Sequence, residues 1–109
     1  NNIQLSTECG AVMNEDTGMK YRAWGWNVLE IDGNNPDAIR EALVSANKEK
    51  NRPTLIIGRT IMAKGALQAD GSSYENSIKT HGAPLGGDAY TNTVKNLGGD
   101  PKDPFKIFP

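Results

Sequence analysis

The single histidine of this chain, His81, stands in "KTHGAPLGGDAY", between Thr80 and Gly82. An imidazole donates a hydrogen bond to a phosphate or moves a proton near neutral pH. No His, Cys or carboxylate neighbour stands beside it at metal-ligand spacing, which argues against zinc. Gly82 and Pro84 restrict the backbone in opposite ways and so fix a loop rather than leave it free. Lys64, in "RTIMAKGALQADGSS", lies among small residues that let backbone approach an anion. The G-x-x-x-x-G-K-S/T spacing of a phosphate-binding loop is absent. The opening "NNI" offers an amide oxygen and main-chain carbonyls, the hard oxygen donors that magnesium takes. The one cysteine, Cys9, has Glu8 and Gly10 beside it and no cation to activate it as a nucleophile. Trp24 and Trp26 flank a glycine and read as packing residues rather than a stacking platform. Taken as residue types alone, His81 is equally an exposed loop histidine, and the loop around Lys64 equally an ordinary one.

The elements that must position these residues follow from periodicity. Ile3 and Leu5 alternate with Gln4 and Ser6, as at the end of a strand. "TECGAVMNED" reads as a connecting loop. Asp16 is an N-cap for "TGMKYRAW", in which Met19, Ala23 and Trp24 share a face, and Gly25 is placed to end that helix. "WNVLEID" reads as a strand. Asn35 caps the next helix, with Pro36 at its first position and Asp37 at the positive end of its dipole. Ile39, Ala42, Leu43 and Ala46 give it one apolar stripe. "RPTLIIG" carries Leu55, Ile56 and Ile57 in succession, which suits a central strand covered on both faces. A last helix, "GDAYTNTVKNLG", has Asp88 near its start and ends at Gly98.

Strand, helix, strand, helix, strand predicts an α/β fold: a parallel sheet with flanking helices. Such sheets bind ligands beyond the carboxyl ends of their strands. Three loops fall there: the one after Ile3–Ser6, "DGNN", and the run from Arg59 to Gly87. The last is long, has little periodicity and contains His81, so it is expected to be functional.

The 109 residues make at most one ordinary domain, with 37% hydrophobic and 23% charged residues, as in soluble globular proteins. A net charge of -1 argues against a nucleic-acid partner. No run is long and apolar enough for a bilayer, no signal peptide opens the chain, and one cysteine suits a reducing cytoplasm. There is no internal repeat. The strand-like opening without a starting Met, and a proline-rich end, suggest a piece of a longer protein.

Together these segments resemble transketolase, a thiamine-diphosphate enzyme of the pentose phosphate pathway. "EDTGMKYRAWGWNVLEIDGN" is similar to the family's acidic–T/V–A–x–R/K–Y/F–x–A–Y/W–G–W segment, "RPTLIIGRTIMAKG" to its strand and small-residue loop, and "HGAPLGGDA" to its H-G-A-P-L motif. The resemblance runs in order over essentially the whole chain. It implies transfer of a two-carbon ketol unit from a ketose phosphate to an aldose, with thiamine diphosphate supplying the carbanion chemistry. It implies a divalent metal, Mg2+ or another, on the cofactor's diphosphate. The family's metal motif is G-D-G followed by N-x-I. Asn1-Asn2-Ile3 matches its second half, Asn1 ligating through its side chain and Ile3 through its carbonyl; the G-D-G half is absent.

His81 matches the histidine of H-G-A-P-L, placed between diphosphate and substrate to assist proton transfer, and Met62 matches a position beside the cofactor. The family's G-x-G there is Ala63-Lys64-Gly65, and the insert "LQADGSSYENSIKT" is longer than in common relatives. The implied whole is a partial N-terminal diphosphate-binding domain over 1–109, truncated on its N-terminal side, with sugar phosphates, the enzyme's remaining domains and a second subunit as partners. Two other readings stand beside it: a binding or interaction fragment without activity of its own, and a piece of another thiamine-diphosphate enzyme, against which the H-G-A-P-L match argues.

Overall fold

A computed structural model describes residues 1–5 and 7–107. They form two compact units. One comprises Asn1 with Gly10–Thr60, the other Asn2–Cys9 with Ile61–Pro109.

A 3-10 turn at Cys9–Ala11 leads into the first unit, whose helix α1 spans Thr17–Ala23. Asp16 caps α1, its Oδ1 accepting from the Met19 N–H at 2.8 Å. Two parallel strands follow, β3 (Asn27–Asp32) and β4 (Thr54–Arg59), joined through α2 (Pro36–Lys48); the short strands β1 (Ile3–Gln4) and β2 (Thr7–Glu8) belong to the second unit. Asn27 pairs with Thr54 and Asp32 with Arg59. Asn27 fixes the register at its start, donating its N–H to Pro53 O at 2.9 Å and its Nδ2 to Thr54 Oγ1 at 3.2 Å. Asn35 caps α2, its Oδ1 accepting from the N–H groups of Asp37 and Ala38 at 3.0 and 3.3 Å.

The face of α2 that meets the sheet is made of its small residues. Ala42 is buried, and Ala38, Ala42 and Ser45 line one cleft with Val28 and Ile31. Of the residues expected inward with Ala42, Ile39 is 37% and Leu43 54% exposed. The expected α1 face is likewise outward. Met19 is 65% and Trp24 60% exposed, and Trp24 packs edge-on against Tyr21, which also meets Trp26 edge-on. Leu55, Ile56 and Ile57 are half-buried rather than covered on both faces, and among the described residues β4 pairs with β3 alone.

The second unit corrects the opening. Ile3 and Gln4 do not join the parallel sheet. They pair antiparallel with Thr7–Glu8, inside the expected connecting loop. Leu5 turns the chain at φ 45, and Ser6, expected in the same strand, lies outside the described residues. The rest of this unit is a folded loop, a 3-10 turn at Ile78–Thr80 and the helix α3 (Gly87–Asn96), which Gly98 ends at φ 83.

Candidate cofactor-binding site

The long segment between β4 and α3 is ordered by its own side chains and by those of α3. Leu67 bridges Ser73, making a small hairpin whose tip is Asp70-Gly71. Gln68 N–H donates to Ser72 O at 2.8 Å, and Asp70 Oδ1 accepts from the N–H and Oγ of Ser72 at 2.9 and 2.6 Å. These bonds hold the Asp70 carboxyl below the usual aspartate range. The base of the hairpin is fastened to α3. Thr93, 7% exposed, accepts from Leu67 N–H at 2.9 Å and donates to Leu67 O at 3.3 Å. Asn92 Nδ2 donates to the carbonyls of Gln68 and Ala69, and Asn96 Nδ2 to that of Gly65. A Cβ on Gly65 would meet Leu97 Cδ2 at 2.6 Å, so the loop lies as close to the end of the helix as a glycine permits.

Met62 enters this loop directly after β4 and Thr60-Ile61. Its N–H donates to Asn76 Oδ1 at 3.3 Å and its carbonyl accepts from Asn76 N–H at 3.0 Å. Ala63, which stands where the resembled motif has glycine, takes φ 51, the left-handed backbone that glycine favours. Ala66 N–H returns to Ala63 O at 3.0 Å.

His81 ends the Ile78–Thr80 turn. Ser77 caps that turn, its Oγ accepting from Lys79 N–H at 3.2 Å, and His81 N–H donates to Ile78 O at 3.3 Å. The residue is exposed, and among the described residues no side chain binds its imidazole. Gly82 follows at φ 73, with open space where a side chain would be. The arrangement is a fixed main chain presenting an unengaged imidazole, a group suited to donate to an anion or exchange a proton.

Of the four residues expected to hold cofactor or metal, Ile3, Met62 and His81 fall in the second compact unit, and Asn1 groups with the first. Ile3 is buried and Asn1 exposed. Asn2 O accepts from Cys9 N–H at 2.7 Å, so Ile3–Glu8 is the pair whose main-chain groups turn away from one another in the antiparallel alternation. Among the described residues no group of three His, Cys, Asp or Glu side chains is placed to hold a metal ion. An open cleft of about 490 Å³ lies between hairpin and helix, lined by Leu67, Asp70, Asn92, Lys95 and Asn96 among others, and none of the four expected residues lines it. Reading the sequence missed Glu75, Asn76 and Thr93, which shape the loop. The length of the insert was an advance signal for Glu75 and Asn76, and Thr93, in α3, had none.

The pattern of the family described as "Transketolase, thiamine diphosphate binding domain" matches residues 1–109. Transketolase 2 of Escherichia coli is 34% identical over 108 residues, covering 98% of this chain and 15% of that protein. The transketolase of Mycobacterium leprae is 36% identical over the same length, with the same coverage. Among solved structures, the transketolase of Campylobacter jejuni superposes with a TM-score of 0.79 at 37% identity, covering 100% of this chain and 16% of that one. That of Leishmania mexicana gives a TM-score of 0.85 at 27% identity, covering 99% and 16%. The chain therefore spans about 15% of the length of these relatives, and over that span it belongs to the transketolase family, in its thiamine diphosphate-binding domain.

Proposed function

We propose that this chain is part of a cytoplasmic, dimeric transketolase that moves a two-carbon ketol unit from a ketose phosphate to an aldose acceptor in the pentose phosphate pathway. What carries the reading is His81, an exposed imidazole held at the end of a capped turn, within a chain whose full length matches the cofactor-binding domain. When bound, thiamine diphosphate supplies the carbanion chemistry, and a divalent ion such as Mg2+ neutralises its diphosphate. Asn1 would hold that ion through its amide oxygen and Ile3 through its carbonyl oxygen. Both are hard donors of the kind magnesium takes, and the rest of its shell comes from outside this pair. Met62 flanks the cofactor. His81 donates to phosphate and moves a proton at its ring nitrogen. By itself, the 109-residue chain is inactive.

The test uses the full-length protein with thiamine diphosphate and Mg2+. Ketol transfer from a ketose phosphate to an aldose phosphate is measured for the wild type, His81→Ala and His81→Asn. Loss of a hydrogen bond to a charged phosphate costs about 1.5–3 kcal/mol of affinity. Loss of acid–base help lowers turnover by roughly 10² to 10⁴ with cofactor saturating. An amide still donates to phosphate but moves no proton near neutral pH, so His81→Asn recovers affinity and not turnover. Normal turnover in His81→Asn would remove the proton-transfer role. Normal behaviour of both variants would remove His81 from the site.

A further inference from the structure

Two neighbouring residues of the insert hold the segment Met62–Gly65 at both its ends. At one end Asn76 engages both main-chain polar groups of Met62, accepting its N–H on Oδ1 at 3.3 Å and donating its own N–H to the carbonyl at 3.0 Å. Asn76 does this from φ 52, a left-handed conformation that asparagine tolerates better than most residues. At the other end the Glu75 carboxylate accepts the Gly65 N–H at 2.7 Å, in a half-buried setting. Between the two anchors the chain passes through Ala63 at φ 51 and Gly65 at φ 80. Two left-handed residues in four are not a conformation a short peptide keeps by itself, and an alanine at one of them opposes it. The shape of Met62–Gly65 is therefore imposed from outside.

We propose that Glu75 and Asn76 are positioning residues for the cofactor, holding the Met62–Gly65 segment in its bound shape before the cofactor arrives. The proposal rests on the reading that Met62 lies beside thiamine diphosphate. A segment held beforehand loses little conformational entropy when its ligand binds, and this strengthens binding without adding a contact. Neither residue touches the cofactor. Each acts through the main chain of another.

Substitutions in the full-length protein separate this from a purely structural role. Asn76→Gly keeps the left-handed backbone and removes only the Oδ1 acceptor. Glu75→Ala removes the carboxylate, and Glu75→Gln restores a neutral acceptor for the Gly65 N–H. The dissociation constant of thiamine diphosphate is measured by titration calorimetry with Mg2+ saturating, alongside the melting temperature of the cofactor-free protein. Asn76→Gly and Glu75→Ala are expected to weaken binding about threefold to tenfold, the range of one net hydrogen bond, with little change in melting temperature. The rise in the cofactor's KM is expected to exceed any fall in kcat. Glu75→Gln is expected to bind more tightly than Glu75→Ala, returning to the wild-type value. Unchanged affinity in both Asn76→Gly and Glu75→Ala overturns the proposal, as does a loss that appears only with a matching fall in melting temperature. If Asn76→Gly does not fold, the Glu75 pair decides alone. Met62→Ala is the control: unchanged cofactor affinity there means the placement of Met62 is wrong, whereas weakened binding in Met62→Ala with normal binding in the other variants rejects positioning only.

Discussion

An imidazole that ends a 3-10 turn is held by main chain on one side and open on the other, and His81 has that character because Ser77 caps the turn and Gly82 redirects the chain. Ala63 shows the opposite relation between residue type and conformation. It occupies φ 51 with a Cβ that costs roughly 1–2 kcal/mol there. Glycine loses that penalty but gives up about 0.5–1 kcal/mol through its greater freedom when unfolded. Ala63→Gly is therefore expected to stabilise the protein slightly, by about 0.5 kcal/mol, seen as a small rise in the midpoint of urea unfolding. A destabilising Ala63→Gly would mean that the methyl group makes a packing contribution larger than the backbone strain.

At the scale of elements, what was legible in the sequence is what is encoded locally. Asp16 and Asn35 cap helices by bonding amides two or three residues away, and Pro36 starts its helix with the ring in place. Runs such as Leu55–Ile57 announce a strand from their own composition. The opening failed for the complementary reason. An alternation of two apolar residues fits a parallel or an antiparallel strand equally, and the choice is made by Leu5, whose φ of 45 reverses the chain. The insert was illegible because its order comes from Asn92, Thr93 and Asn96, more than twenty positions further on. His81 was legible as an isolated residue type; the bonds of Glu75 to Gly65 and of Asn76 to Met62 were not, since they follow no period.

The hairpin tip also carries a pH dependence. Asp70 is held below the ordinary aspartate value of 3.8 by its bonds to Ser72. A carboxylate with a lowered folded-state value stabilises fully above the ordinary value, and the contribution is lost as pH falls through the lowered one. The Ser72 amide resonance is expected to titrate with a midpoint below 3.8, and Asp70→Asn to abolish that titration. A midpoint above 3.8 would show that the carboxyl does not hold the turn.

For the molecule as a whole, the apolar side chains are only partly covered. Among the described residues no large side chain is fully buried, Leu43 is 54% exposed and Val44 49%. Exposed apolar groups gathered on one helix are a surface for other apolar matter. The isolated 109-residue chain is therefore expected to enhance the fluorescence of anilinonaphthalene sulfonate, and Leu43→Lys with Val44→Lys to reduce it. Full dye binding in the double variant would place the apolar surface elsewhere, Met19 and Trp24 being the next candidates.

The register set by Asn27 has a consequence in time. Every pair of the β3–β4 ladder joins residues 27 positions apart, and the whole β3–α2–β4 run ends at Arg59. Leu67 and Thr93 lie 26 positions apart, so the two closures cost about the same entropy and the order of synthesis separates them. As the chain leaves the ribosome, this run has all its partners before the hairpin's base has any of α3, whose Thr93 and Asn96 are made last. The β3–α2–β4 run is thus complete while the loop that bears His81 still waits for the helix that fastens its neighbouring hairpin.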